Sequence, residues 1–178
     1  MAEFRDILLN RRSVRAYTSD MINGDDITKI LEAALLSPTS KNKHSWEFII
    51  VENKQILEKL SVAKPTGGTF IKDAAFAIVV LGNPLLTNAW IEDAAIAATN
   101  MQSQAEELGI GSCWVQIRER SYNNAMSSNE YLAELLDVPM PLEVECILSF
   151  GIPSSKPEPH RTDNLLWEKV HISKYRNQ

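Results

Sequence analysis

The densest chemistry in this chain of 178 residues is the segment RRSVRAY at 11–17. Three guanidinium groups and a hydroxyl fall between Arg11 and Arg15. A guanidinium is permanently charged, and its planar fork of donors matches the oxygens of phosphate or carboxylate. Side chains alternate sides along an extended backbone, so Arg11, Ser13 and Arg15 project together and converge on one anion. Arg161, far along the chain in PHRTD, is a further candidate for the same clamp. The segment alone also fits a solvated basic turn paired with a helix dipole and acidic neighbours.

A second cluster, SPTSKNKHSW at 37–46, carries Pro38, Thr39, Ser40 and Asn42, residues with turn chemistry and spare hydrogen-bonding groups. Taken by itself it is a loop between a helix and a strand. Other chemistries lack their residues. Gly109, Gly111 and Ser112 occur as GIGSC, without the G-x-S-x-G elbow of a hydrolase. There is no G-x-x-x-x-G-K-[ST], and Trp114 stands where a dinucleotide fingerprint starting at Gly109 needs its last glycine. Cys113 and Cys146 lack metal or redox spacing and read as core thiols. His44, His160 and His171 place no two imidazoles on one helical turn, so no metal is expected.

The elements that must carry these groups are legible from periodicity. Phe4, Ile7 and Leu8 predict a short helix ending near residues 10–12. Ile27, Ile30, Leu31, Ala34 and Leu35 predict an amphipathic helix, with Asp25 and Asp26 in its first turn and Pro38 beyond its end. WEFIIVE (46–52) and FAIVVLG (76–82) read as buried strands with the helix NKQILEKLSVA between them. A long helix over 88–108 presents mostly small apolar residues and stops at Gly109. GSCWVQI (111–117) predicts a third strand, residues 130–136 a helix, and LEVECILSFG (142–151) a fourth strand. Pro153, Pro157 and Pro159 mark an extended surface segment, after which LLWEKVHISKY regains apolar side chains that must be buried on something.

Composition sets the frame. Eighteen Lys and Arg against 23 Asp and Glu give a net charge of -5, which argues against nucleic acid held by the overall field, so any anion must be held locally. With 44% hydrophobic residues, the chain reads as a single domain over 1–178 with an extended C-terminal segment from about 153. Size scaling gives a folded area of about 8,700 Å² against about 29,000 Å² unfolded, so roughly 70% of the surface can be buried. No apolar run approaches ~20 residues, and Glu3 and Asp6 interrupt any leader, which points to a cytoplasmic protein away from membranes.

Taken in order, RRSVRAY at 11–17, SPTSKN at 37–42 with Trp46, LGIGSCW at 108–114 and GIP at 151–153 resemble the short form of the FMN-dependent nitroreductase family. The resemblance spans essentially the whole chain, from Phe4 to a terminal helix around Val170 and His171. It implies an α+β fold with a central mixed, mainly antiparallel sheet flanked by helices, in an intertwined homodimer with FMN at each of two interfaces. By the family's pattern, Arg11, Arg15 and Arg161 hold the FMN phosphate, and Arg12 and Ser13 reach phosphate, ribityl or pyrimidine oxygens. Pro38, Thr39, Ser40 and Asn42 approach from the other subunit, and Val115, Gln116 and Ile117 offer backbone N–H near flavin N5. The chain departs from many relatives in carrying His44-Ser45 for Gln-Pro and Gln116 for Gly. Lys64 and Lys72 are the candidates for a cation near flavin N1.

The implied activity passes hydride from NADH or NADPH through FMN to a small organic acceptor such as a nitroaromatic, a quinone or a free flavin. The cofactor carries that chemistry, so no residue is expected to act as a catalytic acid or base. Two other readings stay open: an FMN-binding sensor or store without turnover, and a colourless anion-binding α/β domain.

Overall fold

The computed structural model describes residues 3–175. Four strands form one sheet in the order β1-β2-β4-β3: β1 (Trp46–Val51), β2 (Phe76–Gly82), β3 (Gly111–Gln116) and β4 (Glu143–Gly151). Every strand pair is antiparallel. The expected mixed character reduces to one isolated parallel bridge between Ser13 and Ser112. Among the described residues the α-helices are α1 (Phe4–Asn10), α2 (Gly24–Leu35), α3 (Lys54–Ser61), α4 (Trp90–Glu107) and α5 (Ser128–Leu136).

The pleat of β2 divides the core. Phe76, Ile78 and Val80 face one side with Ile27, Ile30 and Ala34 of α2 and Ala94, Ala98 and Met101 of α4. Ala77, Val79 and Leu81 face the other with Leu57 and Leu60 of α3 and Leu132 of α5. That two-sided packing explains why β2 is apolar without alternation. β1 has a similar run but lies at the sheet edge, where Glu47 and Ile50 are exposed.

Local signals set the helix ends. The Asn23 side chain accepts from the Asp26 amide at the start of α2, and Ser127 and Glu130 close a reciprocal box at the start of α5. Gly109, at φ +74, turns the chain out of α4 while the Ile110 amide donates to the Ala105 carbonyl. The small face of α4, with Ala94, Ala97, Ala98 and Ala105 fully buried, lets that helix lie close against its neighbours.

The C-terminal segment differs from expectation. Its helix is replaced by two single 3-10 turns, Thr162–Asn164 and Trp167–Lys169. Short helices are held mainly by tertiary packing, and this segment finds none on its own chain. Trp167 is 70% exposed and Tyr175 78%. Before it, residues 154–160 lie back on the body: the Ser154 amide donates to Ala16, and the His160 amide to Leu9. The segment able to travel from the body therefore begins after His160, not at Pro153.

Candidate functional site

The arginine segment is mounted on the β3–β4 end of the sheet. The Val14 amide donates to the Ser112 carbonyl at 2.9 Å, and the Thr18 amide to the Ile152 carbonyl at 2.8 Å. Tyr17 bridges to Pro153, and its hydroxyl reaches the Val14 carbonyl and Ser149 Oγ, each at 2.8 Å. Burial pushes the Tyr17 phenol well above its ordinary range, so it stays neutral. Two glycines, directly paired across β3 and β4, make this seat possible. A Cβ at Gly111 would lie 2.9 Å from Val14 and Pro153 atoms, and one at Gly151 would lie 2.6 Å from the Tyr17 ring. The glycines of GSCW and GIP are thus the floor on which RRSVRAY rests.

The Cys113 thiol is pushed up by burial and pulled back by Arg15, a hydrogen bond with Ser13, and the charges of Lys64 and Arg11. The charges of Arg15, Lys64 and Arg11 are thus all felt at this one thiol. The Lys64 ammonium is lowered by burial and then by the charge of Arg120, which brings in a fourth cation. The Arg15 guanidinium lies 5.8 Å from the centre of the Phe70 ring. Among the described residues none of these four cations has a carboxylate partner. In a protein of net charge -5, these four cations are positive charge that no carboxylate pairs among the described residues.

Arg12 points elsewhere: its guanidinium donates to the Glu158 carbonyl and ties down the C-terminal segment. Arg161 is exposed and pairs with Asp163 at 3.1 Å. Of the two candidate lysines, Lys72, in the Thr69–Asp73 turn, is exposed and Lys64 is half-buried.

Next to the cations, β3 is an edge strand. The Ile117 amide donates to the Glu145 carbonyl at 3.2 Å, and the ladder's alternation then commits the Val115 amide to Ile147. Of the three amides expected at this position, only that of Gln116 faces the open edge. Its side chain is fixed inward: Oε1 accepts from Trp114 Nε1 at 2.9 Å, and Nε2 lies 3.4 Å from Glu145 Oε1. Glu145 and Arg118 escaped sequence reasoning, although a charge inside LEVECILSFG was a visible signal.

Pro38, Thr39, Ser40 and Asn42 sit apart from this cluster. Lys41, Asn42 and His44 all have left-handed backbones, a costly run for residues with side chains. Buried Asp93 of α4 holds the loop in place, accepting from the Ser40 amide at 2.7 Å and from Ser45 Oγ at 2.9 Å. Ser45, one of the departures from the family's Gln-Pro, is therefore a brace. The arginine segment meets α4 through Ser112 and Gln102. Nine residues of helix separate Asp93 from Gln102, about 14 Å along the axis.

Comparison with known proteins agrees with this architecture. The model of the nitroreductase family matches residues 8–64 and 62–152. A chain from Archaeoglobus fulgidus, provisionally named an NADH dehydrogenase/NAD(P)H nitroreductase, is 33% identical over 98% of this chain and 100% of its own length. An FMN-dependent nitroreductase structure from Clostridium difficile superposes with a TM-score of 0.93 at 41% identity, covering 95% of this chain and 98% of that one. A second Clostridium difficile structure, of a nitroreductase family protein, has a TM-score of 0.81 at 27% identity, covering 98% and 100%. Shared order of motifs, shared fold and full-length similarity lead to one conclusion: the chain belongs to the nitroreductase family.

Proposed function

We propose that the protein is an FMN-dependent oxidoreductase that draws hydride from NADH or NADPH and reduces a small organic acceptor, working as a homodimer. The observation that carries this reading is the group of unpaired cations, Arg11, Arg15, Lys64 and Arg120, beside the open amide of Gln116. Bound FMN supplies two-electron chemistry between the nicotinamide and the acceptor.

The protein's residues bind and orient. Arg11, Arg15 and the Ser13 hydroxyl hold the terminal phosphate. The Gln116 amide donates to the ring, and the Lys64 ammonium favours negative charge near it. Arg12 serves indirectly, by fastening the C-terminal segment through Glu158. Val115 and Ile117, whose amides are spent in the sheet, keep the floor apolar and dry. No general acid or base is required of any side chain.

The dimer supplies what one chain lacks. Pro38, Thr39, Ser40 and Asn42 of the partner subunit approach the ring from the far side, and Arg161 reaches a phosphate site with the C-terminal segment. Two features support this. The accessible surface is 10771 Å², roughly 2,000 Å² more than a compact monomer of this size exposes. Leu165, Leu166, Trp167, Val170 and Ile172 are also exposed together. No helix among the described residues is long and apolar enough to cross a membrane.

The test is the absorption spectrum of the purified protein, followed by anaerobic mixing with NADH and with NADPH. A yellow protein that releases FMN on denaturation, and is bleached by at least one nicotinamide, is expected. A protein that stays colourless after incubation with excess FMN and removal of the free flavin refutes the reading. Bound flavin that neither nicotinamide reduces identifies a sensor or store instead.

A further inference from the structure

Glu145 is an anomaly in its strand. It belongs to β4, the most buried strand after β2, yet carries a carboxyl that is 4% exposed. A bulge puts it there: Val80 pairs with Cys146 and Leu81 with Val144, leaving Glu145 as the extra residue. Bulges re-aim side chains and concentrate beside functional sites. This one aims its carboxyl under the end of β3. Glu145 Oε2 lies 3.1 Å from Arg118 Nε, Oε1 lies 3.4 Å from Gln116 Nε2, and the Glu145 carbonyl takes the amides of both Ile117 and Arg118. Glu145 Oε2 and Arg118 Nε are close, but no hydrogen bond satisfies either atom. Such a pair is a poor source of stability, since apolar residues of similar volume commonly do as well or better.

What the network does accomplish is geometric. Trp114 and Gln116 lie on one side of the edge strand and are tied to each other, while Gln116 and Arg118, just past the strand's end, both approach the buried Glu145 carboxyl. Between them lies the open amide of Gln116. We propose that Glu145 is a positioning residue: acting through Gln116 and Arg118, it fixes the Gln116 backbone N–H in the orientation that reaction at this site requires. The inference rests on the FMN oxidoreductase reading. It also explains why this chain tolerates a bulky Gln116: its side chain is drawn under the strand by Trp114 and Glu145.

Two variants of the full-length, FMN-loaded protein test this. Gln116→Leu keeps the volume and cuts the ties to Trp114, Glu145 and the Arg118 carbonyl while leaving both charged side chains in place. Arg118→Leu with Glu145→Leu removes both charges together, which avoids stranding either one. The readouts are FMN affinity and the limiting rate of anaerobic flavin reduction as NAD(P)H is varied. Both variants should hold FMN within twofold of wild type, keep the same half-saturating nicotinamide concentration and lower the limiting rate about tenfold, the pattern of an interaction realised in the transition state. The triple variant should be no slower than either. A wild-type limiting rate in Gln116→Leu overturns the proposal, even if the double variant fails to fold. A slow double variant beside a fast Gln116→Leu overturns it too, because the route through Gln116 is then wrong. Failure of the underlying reading looks different: the wild-type protein itself holds no FMN or is not reduced.

Discussion

Replacing Gly151 by alanine puts a methyl carbon 2.6 Å from Tyr17 Cδ1, 2.7 Å from Cγ and 3.0 Å from Cβ. The ring cannot step aside, because its hydroxyl is held at 2.8 Å by both the Val14 carbonyl and Ser149 Oγ. Nor can β4 retreat, because it is bonded to β2 on one side and β3 on the other. What gives is the 13–18 segment, held to the sheet by the Val14 and Thr18 amides. Overpacking of this kind costs about 1–3 kcal/mol. For a chain of this length that is a fall in Tm of roughly 2–12 °C. The more telling effect is on the ligand, since the displaced segment carries Arg11, Ser13 and Arg15. FMN affinity, measured by fluorescence quenching on refolded apoprotein, should fall at least tenfold. Tyr17→Ala in the same background removes the two ring atoms that clash most closely, so the double variant should be less destabilised than the sum of the two singles. Wild-type FMN affinity in Gly151→Ala, or strict additivity with Tyr17→Ala, would refute the claim that the two glycines seat the arginine segment.

Arg15→Ala should weaken FMN binding about 30- to 150-fold by equilibrium titration, the equivalent of one charge-assisted contact of about 2–3 kcal/mol. Arg12→Ala should weaken it far less, because that guanidinium holds the Glu158 carbonyl. Truncation after Ile152 should convert the proposed dimer to monomer by light scattering and abolish tight FMN binding; a full-length monomer that binds FMN tightly contradicts the interface model. Burial raises the Glu145 carboxyl above the usual carboxylate range, with Gln116 and Arg118 opposing and Glu119 assisting. The folded protein then holds that proton more tightly than the unfolded chain. Glu145 should therefore make stability fall as pH rises from the ordinary glutamate range through its raised folded value. Urea denaturation across that window should show the fall, and the Arg118→Leu, Glu145→Leu variant should lack it.

The sequence by itself determined what local rules govern. The apolar periods of α2 and α4, the stop at Gly109 and the period-two division of β2 each follow from backbone geometry and nearest neighbours, and each stands where the residues indicate. The expectation that Arg11, Ser13 and Arg15 converge rests on the same kind of rule, since alternation is a property of any extended segment. Tertiary structure decided everything that depends on what lies opposite. It sent Arg12 to the Glu158 carbonyl, brought Lys64 to the cluster and left Lys72 in solvent. It spent the Val115 and Ile117 amides in the ladder and kept only that of Gln116 open, a matter of register that cannot be read from one strand. Glu145 is the sharpest case. Its charge stood out in a strand of apolar residues, but its target depends on a bulge, and a bulge exists only between two strands once they have paired.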